Sequence, residues 1–262
     1  MAVKLEVIFV RHGESCANIL KEKFPRNPLR FSYQDPQLTE RGIQRSVVTA
    51  TPLMEFIKSK WGDNKTYLIG SSAMMRAQMT AYYQLALHVK KPIHVFPHIC
   101  ERGLTLDNIP YEKEKQHQLL RQRDPKLLRY LTSGKDYRKV QTISTKSDLS
   151  LFLDWVKSNL DRFKQTSQGS VRLVVFTHGM LLRTLFSFPD GTSVTGKPVQ
   201  DKSIMNNGFV YTQFHIGPTD YPNFQVFHDP ESFVLPYKCP DKCSRSICKK
   251  SGGGRKTRKH RN

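Results

Sequence analysis

The chain has 262 residues, 38% of them apolar, which fits one sizeable domain or two small ones. Its formal charge of +20 excludes an acidic, solvating composition and favours anionic partners, phosphates above all, with non-specific nucleic-acid contact as the alternative. No apolar run is long enough to span a bilayer and no secretory leader is visible, so the expectation is an intracellular protein without membrane contact, cytoplasmic or, through its basic tail, nuclear.

The charge is unevenly placed. From Lys238 to Asn262 there are ten Lys or Arg and one Asp, a net of +9, which leaves +11 of the total for the body. Residues 239–262 therefore read as a basic, disordered tail, either solvated without a fixed partner or serving targeting or polyanion contact, and residues 1–238 as the folded domain. Five cysteines are an odd number, and three of them (Cys239, Cys243, Cys248) bunch in the tail without paired Cys-x2-Cys knuckles. The spacing predicts neither a disulfide framework nor a zinc site, but free thiols.

The first element is a strand. Val7, Ile8, Phe9 and Val10 form a run suited to a sheet covered on both faces, and it ends abruptly in Arg11-His12-Gly13-Glu14. A strand end followed by Gly is where open α/β sheets place ligands. Taken alone, that tripeptide serves equally as a turn or a site. Ala17 to Lys23 predicts a helix, and Pro25 to Pro36 an irregular loop. Thr39 is a candidate N-cap for a helix towards Lys60, which Pro52 should kink or divide.

Thr66 to Ser72 predicts a second strand ending in small polar residues, followed by a helix from Ala73 to about His88 with Arg76 in its first turn. Cations are disfavoured at that end of a helix, and a bound anion would account for one there. Pro92 to Pro97 is a third short strand, with Glu101 beyond it. Residues 104–146 are polar and basic, with Asp124-Pro125 as N-cap and first turn of a helix, and read as a helical cap inserted over the sheet edge. Leu149, Phe152, Leu153, Val156, Leu160 and Phe163 recur at helical spacing. Ser170 to Thr177 is a strand that again ends in His-Gly, His178-Gly179, and a helix follows to Phe186. Residues 187–206 read as a loop, and 209–214 with 224–227 as an edge hairpin.

This order of elements predicts an α/β fold, a three-layer α/β/α sandwich around a mostly parallel sheet. Such a sheet would gather Arg11, His12, the Ser71-Ser72 turn with Arg76, Glu101 and His178 at one edge. Two imidazoles, two guanidiniums and a carboxylic acid supply a nucleophile, a clamp for non-bridging oxygens and an acid for a leaving oxygen: the parts for phosphoryl transfer without a metal or cofactor. A serine hydrolase is the weaker reading, since the Gly-x-Ser-x-Gly elbow is absent.

Arg11-His12-Gly13-Glu14, Leu38-Thr39-Glu40-Arg41-Gly42, Ser71-Ser72 with Arg76-Ala77 and Thr80-Ala81, Glu101, and Thr177-His178-Gly179 together resemble the histidine phosphatase superfamily, in its phosphoglycerate mutase-like branch. The resemblance spans about residues 5 to 215. It implies that His12 becomes a phosphohistidine, that Arg11, Arg76 and His178 hold the phosphoryl oxygens, and that Glu101 protonates the leaving alcohol and then activates water. Asn18 matches an Asn of the family's opening motif and is implied to touch the phosphate, with Gly179 beside it. Ser15 and Thr39 are further binding candidates with ready capping roles, and Asp107, Glu112 and Glu114 are alternatives for the acid. Hydrolysis of phosphomonoesters is the favoured activity, in the manner of a histidine acid phosphatase. Mutase-type transfer or a catalytically weak phosphate-binding scaffold are the alternatives. The basic cap points to multiply anionic substrates, either a phosphoprotein or small molecules such as sugar bisphosphates and inositol phosphates.

Overall fold

The apolar run does form a strand, β1 (Val3–Arg11), and its residues from Leu5 to Val10 are all buried. In the computed structural model, residues 3–23, 33–63, 66–101, 105–131, 149–163, 170–185, 204–216 and 226–228 are described. Leu5, Val7 and Phe9 enter one apolar cluster, and Ile8 and Val10 the other, as the period of two along a strand requires. Both faces are covered, so the sequence runs apolar without alternating. Each such side chain stabilises the fold by about 1.5–3 kcal/mol.

In chain order the remaining elements are α1 (Cys16–Lys23), α2 (Glu40–Val48), α3 (Ala50–Trp61), β2 (Leu68–Ser71), α4 (Met75–Ala81), a π-helical turn (Tyr82–Ala86) and α5 (Leu87–Val89). They continue with β3 (Ile93–Val95), α6 (Lys113–Arg123), α7 (Leu149–Ser158), α8 (Leu160–Phe163), β4 (Ser170–Thr177), α9 (Gly179–Leu185), β5 (Phe209–Ile216) and β6 (Val226–His228). The sheet order is β3-β2-β4-β1-β5-β6. The first four strands are parallel to one another, and β5 and β6 add antiparallel at one edge. Helices α3, α4 and α6 cover one face through Leu53, Ala77 and Leu120, and α7 with α9 cover the other through Phe152, Val156 and Leu182. The result is the α/β fold that the order of elements predicts, a three-layer α/β/α sandwich around a mostly parallel sheet.

Register is what positions the site. Arg11 lies opposite Thr177, and Ser71 opposite Phe176, so β1, β2 and β4 end side by side. His12, Ser72 and His178, each the next residue, therefore share one edge of the sheet.

The helix after Thr39 divides, as Pro52 was expected to make it, with the break at Thr49. A continuous helix would drive the Pro52 ring into the Val48 carbonyl, whereas in the first turn of α3 its missing N–H goes unneeded. Asp124 ends α6 as its C-cap and then accepts from Lys126 N (2.9 Å), opening a 3-10 turn at Leu127–Arg129 in place of a longer helix. Cys100 is a buried free thiol. Most of the cap's second half, the 187–203 part of the predicted loop and the tail lie outside the described residues. Among the described residues no helix is long and apolar enough to cross a membrane.

Candidate active site

His12 is buried, and its Nδ1 lies 2.7 Å from the Gly13 carbonyl oxygen. A carbonyl only accepts, so Nδ1 carries the proton and Nε2 keeps its lone pair. Burial, reinforced by the Arg76 and Arg11 guanidiniums, holds the imidazole pKa well below its ordinary value, and the ring is neutral at pH 7. A neutral imidazole with a fixed free Nε2 is a nucleophile in waiting.

His178 lies fully buried beside it, with ring centroids 5.0 Å apart. Its pKa is also held well below the ordinary value, by burial first and then by Arg76, His12 and Arg11. Its Nε2 is 2.7 Å from Ser72 Oγ, which itself accepts from Met74 N (3.3 Å). Ser72 Oγ keeps its proton, and when it donates that proton to Nε2 the His178 proton sits on Nδ1. That Nδ1 is buried and has no hydrogen-bond partner among the described residues. A buried N–H without a partner costs about 1–3 kcal/mol, which an anion held against it would recover.

The guanidiniums are held from outside the pocket. Arg11 donates from Nη1 to the Ile204 carbonyl (2.6 Å). Arg76, buried in the first turn of α4, donates to the Asp107 carbonyl (2.6 Å) and to Asn108 Oδ1 (3.3 Å). Burial lowers the Arg76 pKa, and Glu101, Asp35 and Asp107 offset this. Glu101 is half-buried, its Oε1 accepting from Met180 N (3.1 Å) at the start of α9. Single ligand atoms of His12, Glu101 and His178 lie within 4.8 Å of one another. Such a trio has the donors for a divalent cation, yet the two guanidiniums that depress both imidazoles would repel it as well. The charge of the pocket suits a phosphate.

The structure thus gathers Arg11, His12, Arg76, Glu101 and His178 at one place. Asn18 stands at its margin: its Oδ1 accepts from Ser15 N (2.9 Å), Ser15 Oγ (3.0 Å) and Asn206 Nδ2 (3.4 Å), which leaves its amide NH2 as the group able to meet an anion. Gly179 lets Arg11 approach, since a Cβ there would stand 3.0 Å from Arg11 Nε. Thr39 caps α2 by accepting from Gly42 N (2.9 Å) and donates to Glu14 Oε1 (2.8 Å). Of the alternatives to Glu101, Glu112 and Glu114 are exposed at the start of α6, whereas Asp107 stands beside Arg76.

Other groups support the site, Thr80 of the Thr80-Ala81 pair among them. Gly13 N donates to Thr80 Oγ1 (2.9 Å), which donates in turn to the Arg76 carbonyl (2.6 Å), tying the His12 loop to α4. Asn206 Nδ2 donates to the His12 carbonyl (2.9 Å). Asn207, with φ 65°, joins Ser46 Oγ (2.9 Å) and Gln84 Oε1 (3.2 Å) through its Nδ2. For Asn206 and Asn207 the one signal in the sequence is the Asn206-Asn207-Gly208 turn composition before β5.

The family model of the histidine phosphatase superfamily (branch 1) matches residues 7–196. No curated protein matches the sequence. Among solved structures, a mycobacterial hydrolase is 17% identical, with 87% of this chain and 89% of that one covered and a TM-score of 0.49. A phosphoserine phosphatase from Entamoeba histolytica, in complex with 3-phosphoglyceric acid, is 19% identical (88% and 100% covered, TM-score 0.43). A phosphoglycerate mutase from Bacillus anthracis is 15% identical (81% and 89%, TM-score 0.44). With the family model spanning well over half of its length, the chain belongs to the histidine phosphatase superfamily, branch 1.

Proposed function

We propose that this protein is a phosphatase that hydrolyses phosphomonoesters through a phosphohistidine on His12, in the manner of a histidine acid phosphatase. The carrying observation is the pairing of a neutral, oriented His12 Nε2 with the buried, unpartnered Nδ1 of His178 between two guanidiniums. The phosphoryl group lies among Arg11, Arg76 and His178, whose N–H groups take up the charge on its oxygens. His12 Nε2 attacks phosphorus, the bond to the alcohol oxygen breaks, and Glu101 gives its proton to that oxygen. Glu101, now a carboxylate, takes a proton from water. The hydroxide oxygen attacks phosphorus, the phosphorus–nitrogen bond breaks, and inorganic phosphate leaves with the His12 lone pair restored.

The test is to quench turnover of a labelled phosphomonoester in alkali, where phosphohistidine survives, and map the label. Label on His12 is the expected result, with none in His12→Ala and no release of p-nitrophenol from p-nitrophenyl phosphate by that variant. Normal hydrolysis by His12→Ala would sink the mechanism. Exchange of phosphate between phosphoglycerate isomers, in excess of phosphate release, would instead identify a mutase.

A further inference from the structure

We infer that the substrate of this pocket is a phosphomonoester with an apolar alcohol portion, held by a rim of Leu106, Met180 and Met205; this rests on the reading of the pocket as a phosphomonoester site. The starting point is exposure. Among the described residues the three most exposed large apolar side chains are Met205 (49%), Met180 (47%) and Leu106 (45%). They come from three separate segments, and each belongs to a stretch that holds a group of the pocket. Leu106 precedes Asp107 and Asn108, which hold Arg76. Met180 follows Gly179, against which Arg11 packs, and its own N–H holds Glu101. Met205 stands between Ile204, the acceptor of Arg11, and Asn206, which bonds the His12 carbonyl.

Scattered exposed apolar residues need no explanation, but three that each adjoin groups holding the pocket do. The inner part of the site is strongly cationic and suits the phosphate, and the apolar margin suits what the phosphate is attached to. Ligand sites of this build combine a few placed polar groups with apolar walls. Methionine adapts its shape to such a surface, so the rim would accept alkyl or aryl groups of varied outline. A sugar phosphate or a multiply phosphorylated polyol would instead leave hydroxyls or charges against thioethers and a leucine, where they find no hydrogen bonds. The multiply anionic substrate expected from the basic cap is therefore not the one this margin favours.

The experiment compares ethyl, butyl and hexyl phosphate, whose alcohols leave with nearly equal acidity, so that only apolar contact changes. We expect kcat/KM to rise at least about tenfold from ethyl to hexyl, well within the roughly fourfold per fully buried methylene that transfer data allow. In Leu106→Gln/Met205→Gln the rise from ethyl to hexyl should shrink to about threefold or less. Met180 is left intact because its backbone holds Glu101. In parallel, calorimetry of ethylphosphonate and hexylphosphonate reads binding whether or not turnover occurs. Hydrolysis with no chain-length preference, or a preference unchanged in the double variant, overturns the apolar rim and leaves the phosphatase reading standing. Tighter binding of hexylphosphonate without hydrolysis of any ester does the reverse. Failure of both phosphonates to bind overturns both.

Discussion

His178 is the residue whose chemistry depends most on a neighbour, because the Ser72 hydroxyl decides which ring nitrogen carries the proton. Removing the imidazole should cost what loss of one oriented donor to a developing oxyanion costs elsewhere, so His178→Ala is expected to lower kcat about 10²–10³-fold. Ser72→Ala leaves the ring but frees its tautomer, and a loss of roughly tenfold, smaller than that of His178→Ala, should follow. Steady-state kinetics on one substrate would separate the two. Equal activity of Ser72→Ala and wild type would refute the assigned tautomer. The two histidines were legible in the sequence because an apolar strand that stops at His-Gly is a local pattern, and it occurs twice. Ser72 was visible only as part of a polar turn. Its bond to His178 joins residues 106 positions apart, and no periodicity reports such a contact.

At the level of elements, the segment between α1 and α2 and the half of the cap that carries α6 are joined through one buried carboxylate. Asp35 accepts from Met75 N (2.8 Å) at the start of α4 and from Tyr111 N (3.1 Å) and Gln116 Nε2 ahead of and within α6. Burial pushes its pKa up to about 6, against hydrogen bonds from Gln116, Met75 and Tyr111 and the charge of Arg76, all of which favour the carboxylate. A carboxyl whose folded pKa stands above its ordinary 3.8 takes up a proton on folding. Its contribution is therefore fullest below about pH 4 and declines as pH rises to about 6, by about 3 kcal/mol in all. Asp35→Asn removes that dependence. The stability of wild type minus variant, from urea unfolding of both, should shrink by about 1–3 kcal/mol between about pH 4.5 and 7.5. A difference that stays constant over this range would show that Asp35 does not titrate there. Nothing in the Pro25–Pro36 stretch marked Asp35 in advance, since a lone Asp before Pro reads as a turn residue. The Leu38–Gly42 motif was conspicuous, but its purpose emerges only in three dimensions: Thr39 and Arg41 hold the Glu14 side chain, and Gly42 leaves room for the Glu14 carbonyl. It clamps the loop that carries His12.

For the molecule as a whole, fold class and strand ends were readable because they follow from short-range apolar pattern, whereas the exposure of Leu106, Met180 and Met205 was not, because it depends on how distant segments pack. Charge is the one property that sequence alone states outright, and it makes a prediction of its own. A chain of formal charge +20 attracts dianions at long range, and the pocket proposed for the phosphate lies at one edge of its sheet. A phosphate dianion is concentrated there by long-range attraction that salt screens, while the bonds of the bound state are short and largely shielded. Raising the salt from about 20 to 200 mM should therefore lower kcat/KM for a dianionic substrate roughly three- to tenfold and leave kcat nearly unchanged. Sucrose at matched viscosity serves as control for diffusion. If kcat falls along with kcat/KM, salt is acting on the chemistry within the pocket, and the charge of the body has no part in bringing substrate to His12.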